Sequence, residues 1–126
     1  MKFLCIGYFD LAKSAARPKN ETAAIMAKCG PHLARLLEKK HVLHHTGLET
    51  ETRSIRRVDG TVSVTDAPFL DSAQRIGVSF VVDASDIDEA VDVASMHRAI
   101  AVSEGETLGW GIEVRPIDSF ERAHTA

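Results

Sequence analysis

The stretch that decides the fold is Lys2-Phe3-Leu4-Cys5-Ile6-Gly7-Tyr8-Phe9. Alternate residues of a strand point to opposite faces of a sheet, and apolar side chains occupy both sets of positions here. The pattern predicts a strand that is covered on both sides. The stretch Val78-Ser79-Phe80-Val81-Val82 has the same character and predicts a second strand of this kind. The fold must therefore cover both faces of these strands.

Helical spacing predicts one helix after each of these strands. Asn20 is a candidate N-cap, and apolar residues recur between Ala23 and Leu37 at the spacing of one helical face. Gly30-Pro31 lies inside that pattern, and because proline lacks a backbone donor we expect a break there. Ser85 is the expected N-cap of the later helix. Its expected buried stripe comprises Ile87, Ala90, Val91 and Ala94, and its end carries His97 and Arg98.

A β-hairpin is predicted around Asp59-Gly60, a dipeptide that suits a two-residue turn in which both φ angles are positive. In that register Arg57 faces Val62 and Ile55 faces Val64. Shorter strands are predicted at residues 42–45 and 112–117. Residues 99–111 contain three glycines and predict an irregular connection.

The order of elements is β, broken α, β, hairpin, β, α, β, within a single domain of residues 1–126. Two helices cannot cover both faces of a sheet of this size. We therefore expect an α+β fold, namely a ferredoxin-like antiparallel sheet with helices on one face. A second copy of the chain would cover the other face, so the sequence predicts a homodimer.

Composition excludes several classes of protein. The net charge is −3 with both signs mixed, which predicts no broad basic face for nucleic acid. A mean hydropathy of −0.06 and the absence of an apolar run of roughly twenty residues predict no membrane span. The first ten residues are too short an apolar run for a signal peptide. Cys5 and Cys29 are expected to be free buried thiols in a cytoplasmic protein.

The clearest motif is Val64-Thr65-Asp66-Ala67-Pro68-Phe69-Leu70-Asp71-Ser72-Ala73-Gln74-Arg75-Ile76-Gly77. It resembles the string V-T-D-G-P-F-A-E-T-K-E-x-L-G-G of the YCII-related (DGPF-domain) family. Pro31-His32-Leu33-Ala34-Arg35-Leu36 and Ile112-Glu113-Val114-Arg115-Pro116 resemble two further family stretches. The resemblance implies the dimeric α+β barrel fold and a bacterial origin. Ala67 replaces a family glycine, so a positive φ would be costly there. Ala73-Gln74 replaces Lys-Glu, and Val78 replaces a second glycine.

The same resemblance implies a cleft between the sheet and the helices that contains a catalytic His–Asp pair. His32 matches the histidine of the family, and either Asp66 or Asp71 would be its partner. A carboxylate beside a histidine fixes the ring tautomer and raises its basicity, which suits proton transfer near neutral pH. The alternative is that His32 packs against the sheet and has no chemical role.

Two functional hypotheses follow. The first is a cofactor-free enzyme that uses this pair for isomerase- or lyase-type proton transfer on a small organic molecule. The second is a non-catalytic ligand-binding or regulatory dimer. A link to an extracytoplasmic-function sigma factor system is implied for this second hypothesis, because relatives of the family are often encoded beside such factors.

Further candidate ligand-binding residues are arginines and aromatic residues, namely Arg53, Arg57, Phe69, Trp110 and Arg115. A guanidinium group suits an anionic substrate such as a carboxylate, although exposed strand arginines also serve to solubilise an edge. His41, His44 and His45 do not form a metal set, because consecutive strand residues point in opposite directions and no cysteine or carboxylate completes the ligands. We predict neither a metal nor a cofactor.

Overall fold

The computed structural model describes residues 1–39, 41–70 and 72–123. Its strands are β1 (Lys2–Asp10), β2 (Val42–Gly47), β3 (Ser54–Val58), β4 (Thr61–Thr65), β5 (Gln74–Asp83) and β6 (Gly111–Pro116). Its helices are α1 (Leu11–Ala15), α2 (Lys19–Leu37), α3 (Ile87–Ala94), α4 (Arg98–Ala101) and α5 (Gly105–Leu108). Four strands form an antiparallel sheet in the order β2-β5-β1-β6. This is the α+β, ferredoxin-like arrangement that the sequence predicts.

The helices pack on one face of this sheet. Cys5 of β1 lies opposite Phe80 of β5 and Val114 of β6, so these side chains share a face. The main core contains Cys5 and Phe80 together with Phe3 of β1 and Leu36 of α2, and Val114 packs against it. Leu4, Ile6 and Val81 alternate onto the opposite face, where Leu4 and Ile6 stay half-buried. The strand is thus apolar on both sides, as its sequence predicts.

Helix α2 corrects the expected break at Gly30-Pro31, because one helix runs from Lys19 to Leu37 with Pro31 inside it. Gly30 and Pro31 are exposed, so the carbonyl that proline leaves without a donor lies on the solvent side. The apolar stripe of the opposite side continues through the proline with Ile25, Cys29 and Leu36 buried. Packing of this stripe outweighs the lost hydrogen bond. Asn20 lies in the first turn rather than at the N-cap position, which Pro18 occupies.

Helix α3 begins one residue later than expected. Asp86 is its N-cap and accepts a hydrogen bond from the Glu89 backbone N–H, while the Ser85 hydroxyl donates to the Glu89 carboxylate. The buried stripe is Ala90, Val93 and Ala94, whereas Ile87 and Val91 are each 44% exposed. His97 and Arg98 do not end this helix, because α3 ends at Ala94 and His97 caps α4. Residues 99–111, expected to be irregular, contain the rest of α4 and all of α5.

The hairpin prediction is confirmed. Arg57 pairs with Val62 and Ile55 pairs with Val64. Asp59 and Gly60 have φ angles of 50° and 79°, which are the positive values that this turn requires. The hairpin forms a two-stranded sheet of its own rather than extending the main sheet. Ala67 causes no backbone strain in place of the family glycine, because its φ is not positive. Asp59 is the one described non-glycine residue with a positive φ.

In the described part of the chain, no helix combines the length and the apolar character needed to cross a membrane.

Candidate functional site

A cleft lies between the helix-bearing side of the sheet and helices α2, α4 and α5. It has a volume of about 240 Å³. We call it the helix-side cleft; its walls include Tyr8, Ile25, Met26, His97, Arg98 and Trp110. Gly7 and Gly77 also line it, where the register of β1 and β5 shifts. A methyl group on Gly7 would overlap the Val78 side chain, so glycine is needed for the close approach of these strands.

His97 lies at this cleft with both of its ring nitrogens already engaged. Its Nδ1 accepts a hydrogen bond of 3.0 Å from the Ala99 backbone N–H, which caps α4. Its Nε2 lies 3.2 Å from Nε2 of His45. Because Nδ1 accepts, the proton of neutral His97 must be on Nε2, and His45 must accept it. The neutral tautomers of both rings are therefore assigned by this hydrogen-bond network.

The His45, Phe80 and His97 rings form a stack. The centroids of Phe80 and His97 are 5.1 Å apart with planes at 9°, and those of His45 and His97 are 5.4 Å apart. Burial, followed by the charge of Arg98, lowers the pKa of His97 to about 4. Burial lowers the pKa of His45 as well, with Arg98 and His44 adding to the effect. Both rings are therefore neutral at neutral pH.

Arg98 supplies a positive charge to the wall of the cleft. Its side chain is half-buried, and within the described ranges no carboxylate forms an ion pair with it. The charges of Arg98 and Glu104 both act on the Cys29 thiol. The Glu104 carboxylate, however, is already paired with Lys28 at 2.7 Å. The cleft thus presents a cation without a carboxylate among the described neighbours, beside aromatic and aliphatic walls.

Trp110 is a predicted ligand-binding residue that does line this cleft. It follows Gly109, whose φ of 72° ends α5 in the left-handed region. A Cβ on Gly105 would stand 3.0 Å from Trp110 Cε3 and 2.7 Å from the Ala99 carbonyl oxygen. Glycine at position 105 therefore allows the indole to pack closely beside α4.

The predicted pair of His32 with Asp66 or Asp71 stays a prediction. His32 is half-buried on α2, seven residues beyond Ile25, which corresponds to about 10 Å along the helix axis. Asp66 follows the hairpin and pairs with Arg53 at 3.1 Å, with its side chain 82% exposed. Among the described residues, no hydrogen bond joins His32 to Asp66. Asp71 lies outside the described residues.

The other predicted ligand-binding residues lie away from the helix-side cleft. Arg53 and Phe69 line a second cavity of about 710 Å³ at the base of the hairpin, and it shares Tyr8 with the first. Arg57 is exposed and donates to the Gly60 carbonyl oxygen in the hairpin turn. Arg115 is exposed on β6. The roles of these four residues in binding stay predictions.

The two cysteines are free and buried, as expected. Burial raises the pKa of Cys5 to about 11 and raises that of Cys29. Neither thiol is suited to act as a nucleophile at neutral pH. Among the described side chains, no group of three His, Cys, Asp or Glu residues is placed to hold a metal ion.

The residues that the sequence reasoning missed are His97 and Arg98. The sequence pattern predicts both residues at the end of the helix after Ser85, and it offers His45 only as a rejected candidate for a metal ligand. The available signal was His97 directly before the helix-compatible stretch Arg98-Ala99-Ile100-Ala101, because histidine can serve as a capping acceptor. The contact of His97 with His45 spans 52 residues and no local pattern indicates it.

The fold and site define a ferredoxin-like α+β protein with a small cleft between its sheet and its helices. A family model, the YCII-related domain, matches residues 1–109. The chain therefore belongs to the YCII-related family, as its motifs predict. A search of curated proteins found no match.

Proposed function

We propose that this protein binds a small organic anion in the helix-side cleft, with Arg98 as the counter-ion. The observation that carries the proposal is the half-buried residue Arg98 in the cleft wall, which forms no ion pair with a carboxylate among the described residues. A partly buried charge is stabilised when an opposite charge pairs with it, and a guanidinium fork matches a carboxylate. Trp110 and Ile25 supply apolar surface for the body of the ligand.

The same geometry favours binding over proton transfer by His97. Both nitrogens of this ring are engaged, one with the Ala99 N–H and one with His45. A general base needs a nitrogen within reach of the substrate proton. The enzyme hypothesis therefore depends on His32 with Asp66 or Asp71, and its test is the loss of activity in His32→Ala once a substrate is known.

The test of anion binding compares benzoate with benzamide, which have similar shapes but different charges. Trp110 is the sole tryptophan and lines the cleft, so its fluorescence reports occupancy. Because a hydrogen bond to a charged group contributes about 1.5–3 kcal/mol, we expect benzoate to bind at least about tenfold more tightly than benzamide. Arg98→Gln should abolish this preference, whereas Arg35→Gln on the exposed side of α2 should keep it.

Two results would contradict the proposal. One is equal affinity of the wild-type protein for benzoate and benzamide. The other is an Arg98→Gln variant that retains the preference, since the counter-ion would then be elsewhere.

We also propose that two copies associate through the sheet faces that carry Leu4 and Ile6. These side chains lie on the face opposite the helices and keep partial exposure. Burial of apolar area at an interface would stabilise both copies. Ile6→Glu should convert a dimer into a monomer in sedimentation, and a wild-type monomer at micromolar concentration would refute association.

The link to a sigma factor system and the cytoplasmic location stay predictions.

A further inference from the structure

His97 joins the wall of the helix-side cleft to β2 through His45 and to α4 through the Ala99 N–H. We propose that His97, held by His45, is a positioning residue that aims Arg98 into the helix-side cleft and so determines its selectivity for anions. The proposal rests on the proposed function, because it concerns how the counter-ion is held. It assigns no chemical step to either histidine.

A hydrogen-bond relay runs from α4 to β2. The Ala99 backbone N–H donates to His97 Nδ1, and His97 Nε2–H donates to His45 Nε2. Each group has one defined role, because reversing either bond would place two donors or two acceptors against each other. Because His45 accepts the proton of His97 Nε2–H, the lone pair of His97 stays on Nδ1, where it faces the Ala99 N–H of α4.

This relay holds the N-terminus of a short helix. Helix α4 has four residues, and so short a helix is not stable on its own propensity. Arg98 is its first residue and lies between the capping His97 and the donating Ala99. The direction in which the Arg98 side chain leaves the backbone therefore depends on the cap.

The surroundings of His97 keep its ring uncharged. His97 accepts from Ala99 only while it is neutral, and the buried stack with Phe80 opposes its protonation. The charged or titratable groups near the pair are Arg98 on α4 and His44 on β2. On α2, Cys29 is buried, and Lys28 compensates the nearby Glu104. The cap is therefore intact at pH 7.5.

The experiment measures the affinity ratio of benzoate to benzamide at pH 7.5 by Trp110 fluorescence in His97→Leu and His97→Asn. Leucine cannot accept from Ala99, whereas the Oδ1 atom of asparagine can stand close to the position of Nδ1. We expect the ratio to fall about tenfold in His97→Leu through weaker benzoate binding, and to recover in His97→Asn. Because His97 also lines the cleft, His97→Leu changes the surface that both ligands meet, and the prediction is that benzoate loses about tenfold more affinity than benzamide. A loss of general structure would weaken both ligands equally.

A second pair of variants keeps the inference testable if His97→Leu does not fold, since His97 is fully buried. His45→Leu removes the acceptor for His97 Nε2–H, and His45→Gln supplies another at a similar position. The ratio should fall in the first and be retained in the second. His44→Leu is the matched control, because His44 is exposed on the same strand and lies outside the relay.

The outcomes separate the two proposals. If the wild-type protein shows no preference for benzoate, the proposed function fails. If the wild type prefers benzoate and folded His97→Leu or His45→Leu keeps the full preference, the positioning role fails while anion binding stands. A parallel loss of benzoate and benzamide affinity would also refute the positioning role, because it would mark a general structural effect.

Discussion

Acid should destabilise this protein through the buried histidine His97, and the effect can be calculated. Its pKa is lowered from an ordinary value of 6.5 to about 4 in the folded state, because burial and the Arg98 charge disfavour the imidazolium. Between these values the unfolded chain binds the proton and the folded chain does not. The contribution of His97 to stability is therefore full above pH 6.5 and is lost as the pH falls towards 4.

The expected magnitude follows from the difference between the two pKa values. Each tenfold difference in proton affinity contributes about 1.4 kcal/mol, so the loss between pH 7 and pH 4 is about 3 kcal/mol. This loss is a large part of the free energy of unfolding of such domains, which is roughly 5–15 kcal/mol. His45 adds to the loss with the same sign, because its pKa is also lowered.

The assay is urea unfolding at pH 7, 6, 5 and 4 for the wild-type protein and for His97→Asn. Asparagine keeps an acceptor for the Ala99 N–H but cannot be protonated in this range. Carboxylates contribute to both proteins alike, so they cancel in the difference between the two curves. We expect the wild type to lose about 3 kcal/mol more than the variant. If the free energy of unfolding fell equally with pH in the two proteins, His97 would take up a proton equally easily in the folded and unfolded states. That result would refute the prediction.

Predictions for three further variants concern helices. Gly30→Ala should raise the free energy of unfolding by less than the ~1 kcal/mol of an ordinary helical site, because alanine is the better helix former and a Cβ there meets no atom within 4 Å beyond its chain neighbours, but the ring of the following Pro31 crowds that Cβ. Gly105→Ala should lower the free energy of unfolding, because the new Cβ would stand 2.7 Å from the Ala99 carbonyl oxygen. Denaturant unfolding measures the change in both glycine variants. A change of the same sign in the two variants would contradict these expectations. Asp86→Ala should cost about 1 kcal/mol by removing the acceptor for the Glu89 N–H, and an unchanged thermal midpoint would show that the cap contributes nothing.

Much of the fold could be predicted because the patterns involved are local. The alternation of side-chain direction along β1 places Cys5 and Leu4 on opposite faces, and the structure agrees. The turn at Asp59-Gly60 depends on two φ angles that these residues adopt at low cost. Register then follows from the turn, because each residue on one arm has a fixed partner on the other.

Pro31 shows where local reasoning failed. A proline in a helix removes one hydrogen bond, and on local grounds a break is the better prediction. The structure keeps the helix because the buried side of α2 carries Ile25, Cys29 and Leu36 against the rest of the molecule. The strength of that packing depends on residues far away in the chain, so the α2 sequence alone could not reveal it.

The sequence by itself determined the strands, the hairpin register and the family, because each depends on residues that are neighbours in the chain or on a contiguous motif. The tertiary structure alone decided which side chains line the cleft. Tyr8, Ile25 and Arg98 come from distant parts of the chain, and the contact of His45 with His97 joins β2 to the start of α4. Such contacts arise from the way the sheet and helices pack together, and that packing depends on the whole chain.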